Sequence, residues 1–201
     1  MKRIFDIFIS LPAIVLLLPV FAFLWLAVKL SGKGPAIFSQ RRAGKDGKPF
    51  TFYKFRTMKI DADPFGPSPK SSEDPRLTKI GKFLRESSLD ELPQLFNVLK
   101  GDMSIVGPRP LYMEQVKEWN DRQKKRLLVK PGLTGLAQIS GRAELTREEK
   151  LELDVRYVET ANLRLDIKII CTTIGQLFRR RRNIYEKRYS QNEETRGDLH
   201  E

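Results

Sequence analysis

The sequence predicts an α+β fold that is mostly helical: an N-terminal membrane helix, then a compact domain with a small β-hairpin and amphipathic surface helices. Three patterns predict it. They are an uncharged run near the N-terminus, an Asp-Gly pair between two phenylalanine-rich runs, and apolar residues at helical spacing in the second half. The 201 residues suffice for one compact domain plus an appendage, and we place the boundaries at 1–30, 31–189 and 190–201, the last a polar tail.

The composition limits the possible chemistry and indicates an anionic partner. The formal net charge is +12, which suits nucleic acid, an acidic membrane face or phosphorylated substrates. The single histidine, His200, stands next to the end, which argues against Ser-His or Cys-His catalysis and multi-histidine metal sites. Catalysis must then use carboxylate, Lys, Arg or Tyr side chains, or a hard metal such as magnesium held by carboxylates.

The first element is an uncharged stretch at residues 7–28. As a helix, this length matches a bilayer core of about 30 Å. Pro12 and Pro19 should each kink it. Basic residues flank both ends, so the positive-inside rule gives no orientation. Both a re-entrant hairpin, with its two ends on one face, and a single-pass anchor remain open.

The next elements are two predicted strands, 36–42 and 49–57, joined by a turn that contains Asp46 and Gly47. The second strand ends in a basic run that includes Arg56. This run suits phosphate or membrane contact, or else a solvated edge strand. Residues 61–76 carry four prolines and form a loop, either a lid or a disordered connection.

Two adjacent carboxylates, Asp90 and Glu91, stand between leucines at the predicted start of a helix that ends at Gly101. Ser88 with Glu91 three residues later fits a capping box. A helix N-terminus keeps a carboxylate ionised and favours phosphate, so Asp90 is a possible nucleophile. Glu91 could bind a metal or move a proton. The alternative is that both are ordinary first-turn acids.

Arginines near these acids are candidates for binding phosphate. Arg85 lies five residues before Asp90, and Arg109 sits between Pro108 and Pro110 in a stiff loop. A guanidinium fixed in this way suits bidentate phosphate binding, although a turn with a solvated arginine has the same sequence. The predicted phosphate- and nucleotide-binding residues are Arg56, Arg85, Pro108, Arg109 and Pro110.

Three further helices are predicted at 111–129, 146–161 and 163–182. Thr146 with Glu149 forms a second capping box at the start of the middle one. The last carries an apolar stripe and ends in four arginines, 179–182. Such a helix lies well on an anionic membrane surface, or packs on the core with a basic cap.

Three classes of function fit these patterns: a membrane-bound enzyme acting on a phosphorylated, lipid-linked substrate, a membrane-tethered nucleic-acid binder, and a non-catalytic membrane scaffold. The nucleic-acid class lacks any recognisable binding motif. The scaffold does not need paired acids facing arginine-bearing loops. We therefore expect an enzyme, and keep a membrane-tethered basic binding protein without catalysis as the alternative.

Three ordered motifs carry a family resemblance. They are DELPQLFNVLKGDMS at 90–104, VGPRP at 106–110 and KPGLTG at 130–135. Together they resemble the bacterial sugar transferase family, the small monotopic phosphoglycosyl transferases that are PglC-like. The resemblance runs from the N-terminal KRIFD to about Arg182.

The resemblance implies transfer of a sugar-1-phosphate from a nucleotide diphosphate sugar, typically UDP-linked, to polyprenyl phosphate, with Mg²⁺. It implies a re-entrant membrane helix and a catalytic domain on the cytoplasmic face of the bacterial inner membrane. It places the catalytic and metal-binding pair at Asp90 and Glu91 and the substrate loop at 108–110. One difference is Leu18-Pro19, where the family often has Ser-Pro, so the serine hydroxyl is absent from the helix break.

From the chemistry of that reaction we expect Asp90 to form a covalent aspartyl-phosphosugar intermediate and to release a nucleotide monophosphate. With no suitably placed histidine and no obvious activated serine, a carboxylate is the natural nucleophile.

Overall fold

A computed structural model describes residues 2–63, 66 and 68–178. This part of the chain is α+β and mostly helical, as predicted, with two small sheets. The predicted arginine run 179–182 and the tail 190–201 lie outside the described residues. The helices are α1 (Lys2–Leu30), α2 (Lys79–Ser87), α3 (Gln94–Lys100), α4 (Met113–Val116), α5 (Asp121–Lys124), α6 (Leu136–Ser140), α7 (Arg147–Thr160) and α8 (Leu163–Phe178). The strands are β1 (Ile37–Ala43), β2 (Pro49–Phe55), β3 (Ser104–Val106) and β4 (Gly132–Thr134).

The predicted β-hairpin is confirmed. β1 and β2 pair antiparallel, with Ile37 opposite Phe55 at one end and Ala43 opposite Pro49 at the other. The turn works because Asp46 adopts a left-handed conformation (φ 56°) and Gly47 follows it (φ 71°). On β2, Phe50 and Phe52 point into the main core.

The second sheet is not predicted by the sequence. β3 and β4 pair in parallel, Ser104 opposite Gly132. The strands hold three residues each, too few for an alternating pattern to appear. Their approach depends on glycine, because a Cβ on Gly132 would lie 2.1 Å from the backbone nitrogen of Gly107.

α1 is a continuous helix of 29 residues, with Pro12 and Pro19 inside it. It is the one helix in the described part of the chain that is long and apolar enough to cross a membrane, by length and composition. One face packs on the domain through Ile14, Leu24 and Val28. The opposite face exposes large apolar side chains, among them Phe8, Leu16 and Phe23.

The N-terminal end of α1 is fixed to the domain by polar contacts. Arg3 donates hydrogen bonds to the carbonyls of Val98 and Leu99 at the end of α3. The buried carboxylate of Asp6 accepts from the hydroxyl of Ser104 at 2.8 Å and from the backbone N–H of Ile105 at 2.9 Å. The first turns of α1 are therefore part of the folded domain.

The C-terminal end of α1 is fixed by Arg56, which follows β2. Its guanidinium donates to the carbonyl of Val28 at 3.2 Å, to that of Gly32 at 3.0 Å and to that of Lys33. Carbonyls at a helix C-terminus lack partners within the helix, and a buried arginine here satisfies them. Both ends of α1 thus bind the same domain.

The predicted helix over 111–129 is wrong, because the chain breaks into α4, α5 and a 3₁₀ turn over Lys125–Leu128. Asn120 interrupts the helix: its side chain accepts from the N–H of Gln123 and begins a new helix. Trp119 precedes α5 and Arg126 follows it, both are buried, and the guanidinium of Arg126 lies over the Trp119 ring, 4.7 Å from its centroid. The predicted helix at 146–161 is confirmed as α7, with its capping box formed by Thr146 and Glu149.

Candidate active site

The two acids lie in a tight turn between α2 and α3, not in the first turn of α3. Ser88 closes α2 in a left-handed conformation (φ 58°), and Leu89–Glu91 form a 3₁₀ turn. The predicted capping box of Ser88 and Glu91 is therefore wrong, because Ser88 makes no side-chain cap hydrogen bond. Ser88 reverses the chain so that Leu89 joins the core beside α2. The predicted end of this helix at Gly101 is confirmed, since Gly101 caps α3 in a left-handed conformation (φ 98°).

Asp90 is a buried carboxyl group, 8% exposed. The pKa of Asp90 is raised to about 6, mainly by burial and then by the negative charge of Glu91, whereas the charges of Lys54, Arg85 and Arg109 limit the rise. Asp90 is therefore ionised at neutral pH but close to its titration range. It is held among cations that could also receive phosphate.

Glu91 forms a two-pronged ion pair with Arg109. The two guanidinium nitrogens lie 2.6 Å and 3.3 Å from the two carboxylate oxygens. Burial works to raise the pKa of Glu91, but the charge and hydrogen bonds of Arg109, with the charge of Arg142, outweigh it and leave the pKa below its usual range. Glu91 therefore stays ionised in a site where Asp90 can gain a proton.

The loop after β3 holds Arg109 by its backbone, while its side chain is half exposed. The carbonyl of Pro108 accepts from the N–H of Gly132 at 2.8 Å. The carbonyl of Arg109 accepts from Arg126 at 2.6 Å, and Arg126 in turn pairs with buried Asp154. This agrees with the predicted stiff loop and explains why Arg109 meets Glu91.

Arg85 lies on α2 facing the acids. Its Nε donates to the hydroxyl of Thr57 at 3.0 Å, and its charge acts on both Asp90 and Lys54. Arg56, in contrast, is committed to the carbonyls at the end of α1. The structure therefore brings Arg85 and Arg109 to the acids and gives Arg56 a structural role instead of the predicted phosphate contact.

Three further cations belong to the site and were not selected from the sequence. The pKa of Lys54 is lowered to about 8, mainly by burial and then by the charge of Arg85, whereas the charge of Asp90 limits the decrease. Burial also lowers the pKa values of Arg42 and Arg142. The signal for Lys54 was its place in the basic run at the end of β2. The sequence carries no comparable signal for Arg42 and Arg142.

Asp90 and Glu91 suit a hard divalent cation when a substrate supplies further oxygen atoms. Mg²⁺ is commonly held by one or two carboxylates together with substrate phosphates. Each oxygen of Glu91 accepts one bond from Arg109 and keeps a further lone pair. Within the described residues there is no cluster of three acidic, histidine or cysteine ligands, so the chain alone offers only a partial set. Binding of Mg²⁺ by Asp90 and Glu91 would therefore require oxygen atoms from a substrate phosphate.

Fold and site together define a class: a compact α+β domain joined to an apolar helix of membrane-crossing length, with paired carboxylates among lysine and arginine side chains. The chain belongs to the bacterial sugar transferase family, whose sequence profile matches residues 1–180. This confirms the family suggested by the sequence motifs.

Several relatives are similar to this chain over most of its length. It is 46% identical to galactosyl transferase CpsE of Streptococcus agalactiae serotype III (strain NEM316), over 86% of this chain and 41% of the relative. It is 45% identical to the uncharacterized sugar transferase EpsL of Bacillus subtilis (strain 168), over 88% of this chain and 87% of EpsL. It is 45% identical to the UDP-glucose:undecaprenyl-phosphate glucose-1-phosphate transferase of Escherichia coli (strain K12), over 89% of this chain and 40% of the relative. The chain thus spans about two fifths of two of these relatives.

Proposed function

We propose that the protein is a phosphoglycosyl transferase that moves a sugar-1-phosphate from a nucleotide diphosphate sugar, UDP-linked, to membrane polyprenyl phosphate. The products are a polyprenyl-diphosphate sugar and a nucleotide monophosphate, which makes this a first membrane step of glycoconjugate assembly. The observation that carries the proposal is a buried carboxylate, Asp90, among the charges of Lys54, Arg85 and Arg109. The reaction for which the Escherichia coli relative is named has the same form.

In the first step, a carboxylate oxygen of Asp90 attacks the phosphorus that bears the sugar. The bond from that phosphorus to the bridging oxygen breaks, and the nucleotide monophosphate leaves with the electron pair. An acyl phosphate linked to the sugar remains on Asp90. Lys54, Arg85 and Arg109 stabilise the negative charge that builds up on the phosphoryl oxygens.

In the second step, a phosphate oxygen of the polyprenyl phosphate attacks the same phosphorus and releases the carboxylate of Asp90. The second pKa of a phosphate monoester is about 6, so this nucleophile is largely deprotonated at neutral pH. A base is therefore not required for the second step. The two anionic substrates react in turn and need not occupy the site together.

Glu91 is better suited to metal binding than to proton transfer. Arg109 holds it ionised, with its pKa below the usual range, so it is a weak base at neutral pH. Asp90 and Glu91 would hold Mg²⁺ together with the diphosphate of the nucleotide sugar. When bound, the metal would neutralise charge on the diphosphate and on the leaving group.

We infer that α1 is re-entrant, with both ends on the cytoplasmic face of the bacterial inner membrane. Arg3 and Arg56 tie opposite ends of α1 to the same domain. A single-pass helix would carry one end across a hydrocarbon core of about 30 Å, away from those partners. Because the nucleotide sugar is a cytoplasmic metabolite, the membrane face that carries the domain is the cytoplasmic one.

α8 supplies a second surface for anionic membrane lipid. Its outward side exposes Leu163, Ile167, Ile174 and Leu177 to between 47% and 58%, and its inner side packs on the core through Ile169. A spin label at Ile174→Cys in a Cys171→Ser background should become protected from water-soluble relaxers in vesicles with anionic lipid. A label at exposed Lys168→Cys should stay accessible. Equal accessibility at both positions would remove α8 from the membrane surface.

The function is tested by incubating the membrane-bound protein with polyprenyl phosphate and a panel of nucleotide sugars labelled in the β-phosphate. Label should pass to the lipid fraction for at least one sugar, and an Asp90→Asn variant should transfer none. If no sugar transfers label, the alternative of a membrane-tethered basic binding protein without catalysis is favoured.

A further inference from the structure

An apolar groove lies between α1 and the active-site turn. It is lined by Phe21, Ile37, Tyr53, Pro93 and Phe96, and its volume is about 240 Å³. The wall is formed by carbon atoms. Whole-ligand pockets measure roughly 300–1,000 Å³ and carry a few polar groups, so this groove suits only an apolar part of a ligand.

One end of the groove adjoins the turn that carries the two acids. Pro93 lines this end and follows Glu91 by two residues. A molecule with its phosphate at Asp90 would have its next atoms at this end. The groove is therefore positioned for whatever is attached to a reacting phosphate.

The other end of the groove is continuous with the exposed apolar face of α1. Phe21 packs edge-on against Phe96, with ring centroids 5.4 Å apart. Leu18 and Trp25 lie one helical turn on either side of Phe21, and they are 52% and 49% exposed. The apolar wall thus continues, without a polar break at Phe21, onto the face of α1 that would meet lipid.

We propose that this groove binds the isoprene units next to the phosphate of the lipid acceptor, and so selects a polyprenyl chain. The proposal rests on the proposed function and adds the site of the hydrocarbon. The cations receive the phosphate, the groove receives the branched chain, and the remainder of the chain continues along α1 into the bilayer. A nucleobase fits less well, because the groove offers no polar atom to its hydrogen-bonding edges.

Two groove variants of the full-length protein test the proposal kinetically. Ile37→Trp fills the groove and Phe96→Ala widens it. Each should lower kcat/KM for the polyprenyl phosphate about tenfold, the effect of losing part of one apolar contact. Release of nucleotide monophosphate from the nucleotide sugar alone should keep its wild-type rate. Leu16→Trp, on the exposed side of α1, is the matched control and should change neither rate.

Unchanged acceptor kinetics in both groove variants would overturn the proposal. Equal loss of both half-reactions would overturn it too, since the groove would then serve the nucleotide sugar or the fold.

A binding experiment separates the groove from the catalytic proposal. A prenyl phosphate with a diazirine on its second isoprene unit should label peptides that contain Tyr53 or Pro93–Phe96. Excess polyprenyl phosphate should compete, and phosphatidylglycerol should not. If the wild-type protein shows no transferase activity but its groove is labelled, the proposed function is rejected. The proposal that the groove binds isoprene units then still holds. Labelling confined to the outer face of α1, or competition by phosphatidylglycerol, would reject the groove.

Discussion

At the residue scale, the account depends on how each charged side chain is held. The backbone of Arg109 is held by a hydrogen bond that its carbonyl accepts from Arg126. Its side chain donates hydrogen bonds from two nitrogens to the carboxylate of Glu91. A lysine has a single nitrogen and cannot copy a planar, two-pronged contact. The chemistry of the site therefore depends on the shape of this side chain as well as its charge.

Arg109→Lys should lower kcat/KM for the nucleotide sugar by about 10- to 100-fold, the effect of losing one charge-assisted hydrogen bond. The melting temperature should barely change, because the Arg109 side chain is 46% exposed. Arg122→Lys is the matched control: Arg122 also grips an acid, Glu152, with two nitrogens, but on the surface. Turnover by Arg109→Lys at the wild-type rate would assign this arginine to structure.

The raised pKa of Asp90 gives a pH dependence with a definite sign. Only the deprotonated carboxylate attacks phosphorus, so the rate of nucleotide release in the first step should rise with pH through about 6 and then level off. Lys54→Met removes a charge that lowers the pKa of Asp90, and should move this rise to higher pH. Stopped-flow release measured from pH 4.5 to 8 checks both. A rise centred near 4 would mean that bound Mg²⁺ or another cation, and not burial, controls the pKa of the nucleophile.

Which residues form the site was only partly predictable from the sequence. Asp90, Glu91, Arg85 and Arg109 lie close together in sequence or in stiff loops, where local patterns are informative. Two other cations of the site reach it through tertiary packing: Arg42 comes from the end of β1 and Arg142 from the turn after α6, and no local pattern marks either. Arg56 is the reverse case. Its place in a basic run near a strand end suggested phosphate binding, whereas in the structure its guanidinium donates to carbonyls at the C-terminal end of α1.

At the element scale, α1 is stabilised by the domain at both of its ends. The guanidinium of Arg56 is buried and serves three carbonyls. In Arg56→Lys a single nitrogen replaces the two guanidinium nitrogens that reach these carbonyls, so the free energy of unfolding should fall by roughly 2 kcal/mol. Thermal unfolding in detergent measures this, with exposed Arg41→Lys as the control. Wild-type stability together with lost activity would restore the predicted phosphate contact.

Elements with strong local signals were predicted, and elements decided by packing were not. The hairpin has its Asp-Gly turn, and α7 has a capping box that forms. The same capping pattern fails at Ser88, because that residue ends α2 and its backbone is left-handed. The broken segment 111–129 shows the same limit, since buried Trp119 and the cap at Asn120 outweigh helix propensity there.

At the scale of the whole molecule, α1 packs on the domain with one face and exposes an apolar face on its other side. Both ends of α1 return to the domain, so we predict that both face the cytoplasm. In a Cys171→Ser background, Lys2→Cys and Lys33→Cys should be labelled from the same side by a membrane-impermeant maleimide. Leu16→Cys, on the outward face, should stay unlabelled in the bilayer. Labelling of Lys2→Cys and Lys33→Cys from opposite sides would make α1 a single-pass anchor.

Under the proposed function, this arrangement would bring the two substrates together. The acids and cations would receive the nucleotide sugar, and the apolar groove beside α1, lined by Phe21, Ile37, Tyr53, Pro93 and Phe96, would receive the hydrocarbon of the acceptor. The division at residue 30 predicted from hydropathy describes a change in composition. Ile14 is buried in one core with residues of β2 and α3, and Leu24 and Val28 are buried in a second core with Phe55 of β2.

The central claim is that Asp90 carries the sugar-phosphate between the two substrates, and mass spectrometry tests it most directly. The protein is incubated with nucleotide sugar in the absence of polyprenyl phosphate, quenched and digested. The peptide that contains Asp90 should gain the mass of one sugar-phosphate, lose it again when polyprenyl phosphate is added, and stay unmodified in Asp90→Asn. An adduct on another residue, or sustained turnover by Asp90→Asn, would contradict the account.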